Sequence, residues 1–378
     1  MLLLEHDAKT LLAWFGIAVP PGYLAGPHDR AGAEIPGPWV VKAQVPVGGR
    51  GKAGGIRTAS TPAELRRQLD DILGMAIKGH VVTSCRVEQQ VTGEEAYLSL
   101  SADPAGAGVR LLLAARGGVE IESLHAQGRV RSALAAPDWA SVRLAFCELA
   151  EELPAEQYEP MMEAARRLAA AFFRFEATLL EINPLFLLPD GGWVAGDAKM
   201  ILDGNAMPRQ IEIEELARAR REAYPETVLK LEHGFDYVEI DVGGHVGMVT
   251  TGAGLSMMLM DELTARGLRP FNFCDIRTGQ MRGDPRRLIE VLSWIARGPG
   301  IRVVLASVFA GITHLGEFAD LLVQAMRAVP EFRVPVVARI IGNGFAEAER
   351  IIAAAGLPII VEPDLDRAIE AAARIVRG

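Results

Sequence analysis

Trp39-Val40-Val41-Lys42-Ala43-Gln44-Val45-Pro46-Val47-Gly48-Gly49-Arg50-Gly51-Lys52-Ala53-Gly54-Gly55 joins an apolar, β-branched run ending in lysine to a loop with five glycines and two more cations. Glycines let successive backbone N–H groups turn toward one anion, and the cations add charge where a polyphosphate would lie. The segment does not contain the Gly-x-x-x-x-Gly-Lys-Ser/Thr loop that runs directly into a helix. A surface hairpin with glycines at its turn explains the same letters, so taken alone the stretch leaves two readings open.

A later segment adds to the first. Thr178-Leu179-Leu180-Glu181-Ile182-Asn183-Pro184-Leu185 reads as a short buried strand, Asp190-Gly191-Gly192 as a turn, and Trp193-Val194-Ala195-Gly196-Asp197-Ala198-Lys199 as a returning strand. Two such strands can set Asn183 beside Asp197, both offering oxygen to a hard cation. Magnesium suits this pair, because it takes few protein oxygens and fills its shell with water and phosphate. Each residue by itself also fits a hairpin whose polar side chains face water.

Together, Lys42 to Gly55, Glu181-Ile182-Asn183-Pro184-Leu185 and Asp197-Ala198-Lys199 resemble the signature segments of ATP-grasp proteins. More narrowly they resemble the β subunits of succinate–CoA ligase and malate–CoA ligase. The resemblance covers nearly the whole chain. It includes Leu4-Glu5-His6-Asp7-Ala8-Lys9-Thr10-Leu11-Leu12, Arg116-Gly117-Gly118-Val119-Glu120-Ile121-Glu122, Asp203-Gly204-Asn205-Ala206 and Val334-Pro335-Val336-Val337-Ala338-Arg339. It implies an α/β chain with a two-lobed ATP-grasp domain over 1–235 and a flavodoxin-like, doubly wound parallel-sheet domain over 236–378.

Bulk properties agree. A chain of 378 residues, half of them hydrophobic, exceeds the usual single-domain size. A net charge of −9 argues against a nucleic-acid binder that relies on phosphate attraction. Cys85, Cys147 and Cys274 give neither a disulfide framework nor metal-ligand spacing. The most apolar stretch, Val246 to Met260, is shorter than the roughly 20 residues a membrane span needs. Glu5 and Asp7 stand where a secretory signal would be basic, so the expectation is a cytoplasmic protein.

The pattern changes near residues 230–236. Upstream, Ile211 to Ala223 reads as a charged helix interrupted by Pro225. Downstream, strands at Tyr237–Val242, Val246–Thr251, Phe271–Cys274, Val303–Val308, Val334–Ile340 and Leu357–Val361 alternate with helices near 255–265, 285–296 and 313–326. Short apolar strands alternating with helices of this length predict a parallel sheet covered on both faces.

The resemblance also assigns roles. Lys42 and the Gly49-Arg50-Gly51 backbone would hold ATP or GTP phosphates, with Glu88 at the base-binding position and Glu95 as a second carboxylate of the nucleotide site. Glu94 could exchange roles with Glu95. Asn183 and Asp197 would ligate Mg²⁺. Phosphoryl transfer depends mainly on positioning and charge neutralisation. In the family the phosphoryl group passes to a histidine of a partner α subunit, which Glu181 would orient. That phosphohistidine converts a small dicarboxylic acid to an acyl phosphate, and CoA, held mainly by the partner, displaces phosphate. Gly311, Ile312 and Thr313, read as a glycine turn opening a helix, suit an anion at a helix N-terminus. With Asn272 they would face the acid, in an αβ heterodimer or α2β2 heterotetramer.

The chain departs from the family pattern at Asp275-Ile276-Arg277-Thr278-Gly279, where glycines are usual after the first two residues. An arginine there could hold an extra carboxylate or sulfonate, favouring an acid more anionic than succinate; the opposing reading is a decayed site. Thr250-Thr251-Gly252 carries threonine where asparagine is usual, and His314 stands where arginine is. Two other functions compete: a stand-alone carboxylate–amine ligase, which the carboxy-terminal domain argues against, and a silent scaffold subunit, which Lys42, Glu181, Asn183 and Asp197 argue against.

Overall fold

The computed structural model describes residues 1–27, 35–118, 127–281, 283–311 and 314–378. The chain divides into two compact units, Met1–Ala219 and Arg220–Gly378.

The first unit contains two antiparallel sheets. In the smaller, β1 (Gly22–Ala25), β6 (Cys85–Gln89), β2 (Trp39–Ala43) and β3 (Ile56–Ala59) lie side by side in that order. The apolar run therefore is a strand, and the glycine loop returns it antiparallel into β3, with Lys42 opposite Ile56. The two-strand hairpin β4 (Ala76–Ile77) and β5 (His80–Val81) stands apart. Helix α1 (Glu5–Trp14) precedes these strands, and α2 (Pro62–Ile72) follows β3. Thr61 caps α2 by accepting from Glu64 N–H, and Pro62 opens it where no N–H partner is needed.

The larger sheet runs β11 (Trp193–Ala195), β10 (Ala177–Leu187), β7 (Glu94–Asp103), β8 (Gly108–Ala114), β9 (Arg131–Ala135). Helices α3 (Trp139–Ala150) and α4 (Ala155–Arg174) lie between β9 and β10. The expected return strand 193–199 breaks in two. β11 pairs Ala195 with Leu185, whereas β12 (Lys199–Leu202) pairs Lys199 with Glu181. The first residues of the chain extend this sheet: Leu2 bridges Ile201, Leu3 N–H donates to Met200 O (3.0 Å), and Leu202 N–H donates to Met1 O (2.8 Å).

After α5 (Ile211–Ala219), Pro225 opens a second helix, α6 (Pro225–His233), which ends at left-handed Gly234 (φ +68°). Pro at the first helical position forfeits no intrahelical bond, so the expected interruption is a helix start. The second unit holds a sheet ordered β13 (Asp236–Glu239), β15 (Asn272–Asp275), β14 (Val246–Thr250), β16 (Val303–Ala310), β17 (Val336–Gly342), β18 (Ile359–Val361). All pairs are parallel except the edge strand β13. Setting β13 aside, this is the flavodoxin-like order, whose switch point lies between β14 and β16.

Burial of both faces explains the unbroken apolar strands. Val303 and Leu305 of β16 pack with Leu259 and Leu263 of α7 (Ala253–Ala265) and with Ile369, Ala372 and Val376 of α11 (Leu365–Arg377). Val304, Ala306 and Val308 face α8 (Arg286–Ala296) and α9 (Leu315–Ala328). α10 (Phe345–Ala355) closes the set, giving alternating strands and helices as the pattern predicts.

Candidate functional site

In the first unit, burial and ion pairing converge on three carboxylates. Lys42, on β2, sets its Nζ 2.9 Å from Glu5 Oε1, 2.7 Å from Glu88 Oε1 and 2.7 Å from Gly196 O. Lys9, fully buried, meets Glu5, Glu88 and the same Gly196 carbonyl, each at 2.7 Å. Arg50 leaves the glycine loop to stand 2.7 Å from Glu5 Oε2, and its Nη2 donates to both oxygens of Asp197 at 3.0 and 3.1 Å. Arg86 donates through Nε to Glu88 at 2.7 Å.

Such a cluster survives burial because every charge has an opposite neighbour. Burial opposes ionisation of Glu5, yet Lys42, Lys9 and Arg50 outweigh it and hold its pKa well below the usual value. Glu88 is lowered in the same way by Lys9 and Lys42. Asp197 goes the other way: removal from bulk water and then the Glu5 charge raise it, against Arg50 and Lys42.

The loop itself is tightly turned. Gly49 adopts φ +82°, Ala53 N–H donates to Gly49 O (3.1 Å) and Gly55 N–H to Arg50 O (2.9 Å). Gly49 and Gly51 are exposed, and Lys78 Nζ, from the β4–β5 turn, lies 3.5 Å from where a Gly49 Cβ would be.

Asn183 and Asp197 come from segments laid side by side. Gly196-Asp197-Ala198 joins two strands that both pair with β10, and Gly196 N–H donates to Pro184 O (2.9 Å). The amide of Asn183 is engaged by Gly118: its Oδ1 accepts from Gly118 N (2.7 Å) and its Nδ2 donates to Gly118 O (2.9 Å). Gly118 (φ +100°) has Glu95 Oε2 only 2.6 Å from where its Cβ would sit, so Glu95 and Asn183 meet there. Glu94 instead accepts from Gln157 (2.9 Å), which separates the two adjacent carboxylates. Glu181 precedes Asn183 by two residues on β10 and lies opposite Lys199 and Ser99, while Asn183 itself sits where the pairing with β7 shifts register.

Among the described residues no group of three or more His, Cys, Asp or Glu stands ready to hold a metal. One carboxylate and one amide oxygen nevertheless fit Mg²⁺, which leaves most of its shell to water and phosphate. They would hold it at the Asp197 and Asn183 oxygens.

The second unit treats its expected residues differently. Asn272 is completely buried; its Oδ1 accepts from Met248 N and its Nδ2 donates to Met248 O, both 2.9 Å, so the amide bridges β15 to β14. Arg277 takes a left-handed φ of +52° and pairs with Asp236 (2.5 Å), which also holds Lys230. Gly311 follows β16 at the switch-point end of the sheet, and α9 begins at Leu315. Ile312, Thr313 and Val119 to Glu122 lie outside the described residues. His314 rests against Gly344, where an added Cβ would fall 2.4 Å from its ring.

Glu5, Lys9 and Arg86 were not assigned from the sequence. The available signal was the Glu5/Lys9 spacing of four on the face that also carries Ala8 and Leu12.

The family model described as "ATP-grasp domain" matches residues 2–187, and that described as "CoA-ligase" matches residues 249–373. Fold and matches define an ATP-grasp ligase subunit with a CoA-ligase domain. The succinate–CoA ligase [GDP-forming] subunit β of Thermus thermophilus is 35% identical, covering 100% of both chains. The ADP-forming counterpart of Herpetosiphon aurantiacus is 37% identical over 94% of this chain and 95% of its own. The chain belongs to the succinate–CoA ligase β-subunit family. Its fold matches ATP citrate lyase from Methanothrix soehngenii with a TM-score of 0.70 at 18% identity, over 99% of each chain. No helix among the described residues is long and apolar enough to cross a membrane.

Proposed function

We propose that this chain is the nucleotide-binding β subunit of a carboxylate–CoA ligase that works with an α subunit carrying a phosphorylated histidine and the CoA site. The observation that carries this reading is the convergence of Lys42, Arg50, Asp197 and Glu88 around Glu5 in the first unit. Four cations (Lys9, Lys42, Arg50, Arg86) face three carboxylates there, so the cluster keeps positive charge for the phosphates of ATP or GTP.

Lys42 and Arg50 neutralise phosphate charge, and the exposed Gly49-Arg50-Gly51 backbone approaches it closely. Glu95 lies beside Asn183 at the edge of the same site. A bound Mg²⁺ supplies charge stabilisation to phosphate oxygens. Glu181, two residues before Asn183 on β10, orients the partner's histidine. Glu88 acts through Lys42 and Lys9, since its carboxylate is buried among them. Gly311, Ile312 and Thr313 form the acid site with the partner. Asn272 and Arg277, the other expected acid-site residues, also brace the domain through their bonds to Met248 and Asp236.

Intact-mass analysis of the complex purified from its native cells, before and after Mg-ATP, tests the reading. A second subunit gaining one acid-labile phosphate is the expected result, and Asp197→Ala abolishes it. A lone chain that transfers no phosphate overturns the proposal.

A further inference from the structure

Asp197 has an occupant other than a metal. Both its oxygens accept from Arg50 Nη2, and Oδ1 also accepts from Ala198 N–H at 2.7 Å. Arg50 is clamped at its other end, where Nη1 stands 2.7 Å from Glu5 Oε2 and donates to Ala43 O at 3.0 Å. The guanidinium thus spans from helix α1 and strand β2 to the β11–β12 connection. A divalent cation needs the same carboxylate lone pairs, and a second positive charge at contact distance repels the first in a partly desolvated site. Lys42, equal in charge, contacts Glu5 and Glu88 and makes no hydrogen bond or ion pair to Asp197.

We infer that Arg50 is the resident counter-ion of Asp197 and competes with the metal for it, turning about its Glu5 contact when the metal takes the carboxylate. This rests on the proposed reading of Asp197 as a metal ligand. It makes the glycine loop responsive to metal: the arm that latches the loop to the metal carboxylate without metal is released toward the phosphates when metal arrives. Glu5, deeply buried, keeps that arm from leaving the site.

The test uses Mn²⁺ as a paramagnetic probe, titrated into the full-length, nucleotide-free protein and read by electron paramagnetic resonance. Arg50→Met should tighten Mn²⁺ binding about ten-fold or more, the scale of one charge-assisted hydrogen bond. Lys42→Met removes the same charge without freeing Asp197 and should tighten it clearly less. Equal effects of the two variants would reduce the matter to net charge and overturn the competition. If Arg50→Met and the Arg50→Met/Asp197→Ala double variant bind Mn²⁺ alike, the metal assignment itself fails. A second measurement needs no variant. Mn²⁺ alone should speed amide hydrogen exchange across residues 49–55 of the wild-type protein, and unchanged exchange overturns the release of the loop.

Discussion

Glu5→Gln keeps the shape of a side chain on which three cations depend, and removes only its charge. Lys9, Lys42 and Arg50 lie within 2.7–2.9 Å of its oxygens. Breaking a buried ion pair by removing one partner costs about 3–5 kcal/mol. Lys9 and Lys42 retain Glu88, and Arg50 retains Asp197, which places the cost near the lower end, about 3 kcal/mol. Urea unfolding followed by tryptophan fluorescence reads the right unit, because Trp14, Trp39, Trp139 and Trp193 lie in it and only Trp294 in the other. With a slope of about 3 kcal/mol per molar urea, the midpoint should fall by about 1 M. Acid supplies an internal control. The folded pKa of Glu5 lies below its ordinary 4.5, so its stabilisation is complete above that pH and is lost as pH falls through the folded value. The gap between wild type and variant should hold from pH 7 to about 5 and narrow only below 4.5. A variant within about 1 kcal/mol of wild type at pH 7, or a gap indifferent to acid, would refute the ion-cluster reasoning.

Lys9→Met removes a fully buried cation 2.7 Å from both Glu5 and Glu88, and because Lys42 still holds both carboxylates it should cost about 3 kcal/mol by the same urea assay; a loss below about 1 kcal/mol contradicts this. Asn272→Ala leaves the buried N–H and C=O of Met248 unpaired and should destabilise the second unit by about 2–4 kcal/mol. Hydrogen exchange of β14 and β15 amides should accelerate, and unchanged protection argues against the bridging role. Arg277→Gly exchanges a half-exposed ion pair for a residue that takes φ +52° without strain, so net stability should stay within about 1 kcal/mol. Its kcat/KM ratios across di- and tricarboxylates should match wild type where the Asp236 pair is the main role of Arg277, and a ten-fold shift toward succinate shows instead that Arg277 reads the acid.

The glycine loop, the β10 strand with its turn and the alternating second unit were legible because each is specified by residues close together in sequence. Local pattern failed where the partner is distant. Lys9 finds Glu88 and Gly196 across 79 and 187 positions, so neither end shows the pair. The break at Gly196-Asp197-Ala198 was equally hidden. Trp193 to Lys199 has the letters of one strand, and only pairing with β10 on both sides of the gap turns Asp197 into a loop residue. Asn272 and Arg277 fit a substrate site by position, and their bonds to Met248 and Asp236, distant in sequence, are displayed by no sequence rule.

The seating of the first residues against β12 bears on how the chain is made. Met1, Leu2 and Leu3 pair with Leu202, Ile201 and Met200, whereas α1 meets Lys42, Arg50 and Glu88 much earlier in the chain and Gly196 late. During synthesis Lys42, Arg50 and Glu88 become available to α1 well before Gly196 and β12, against which the seating of residues 1–3 is completed. Until then Glu5 and Lys9, one turn apart, can neutralise each other on the nascent helix. That late pairing leaves the seam between residues 1–3 and β12 open in any nascent chain that pauses before residue 202.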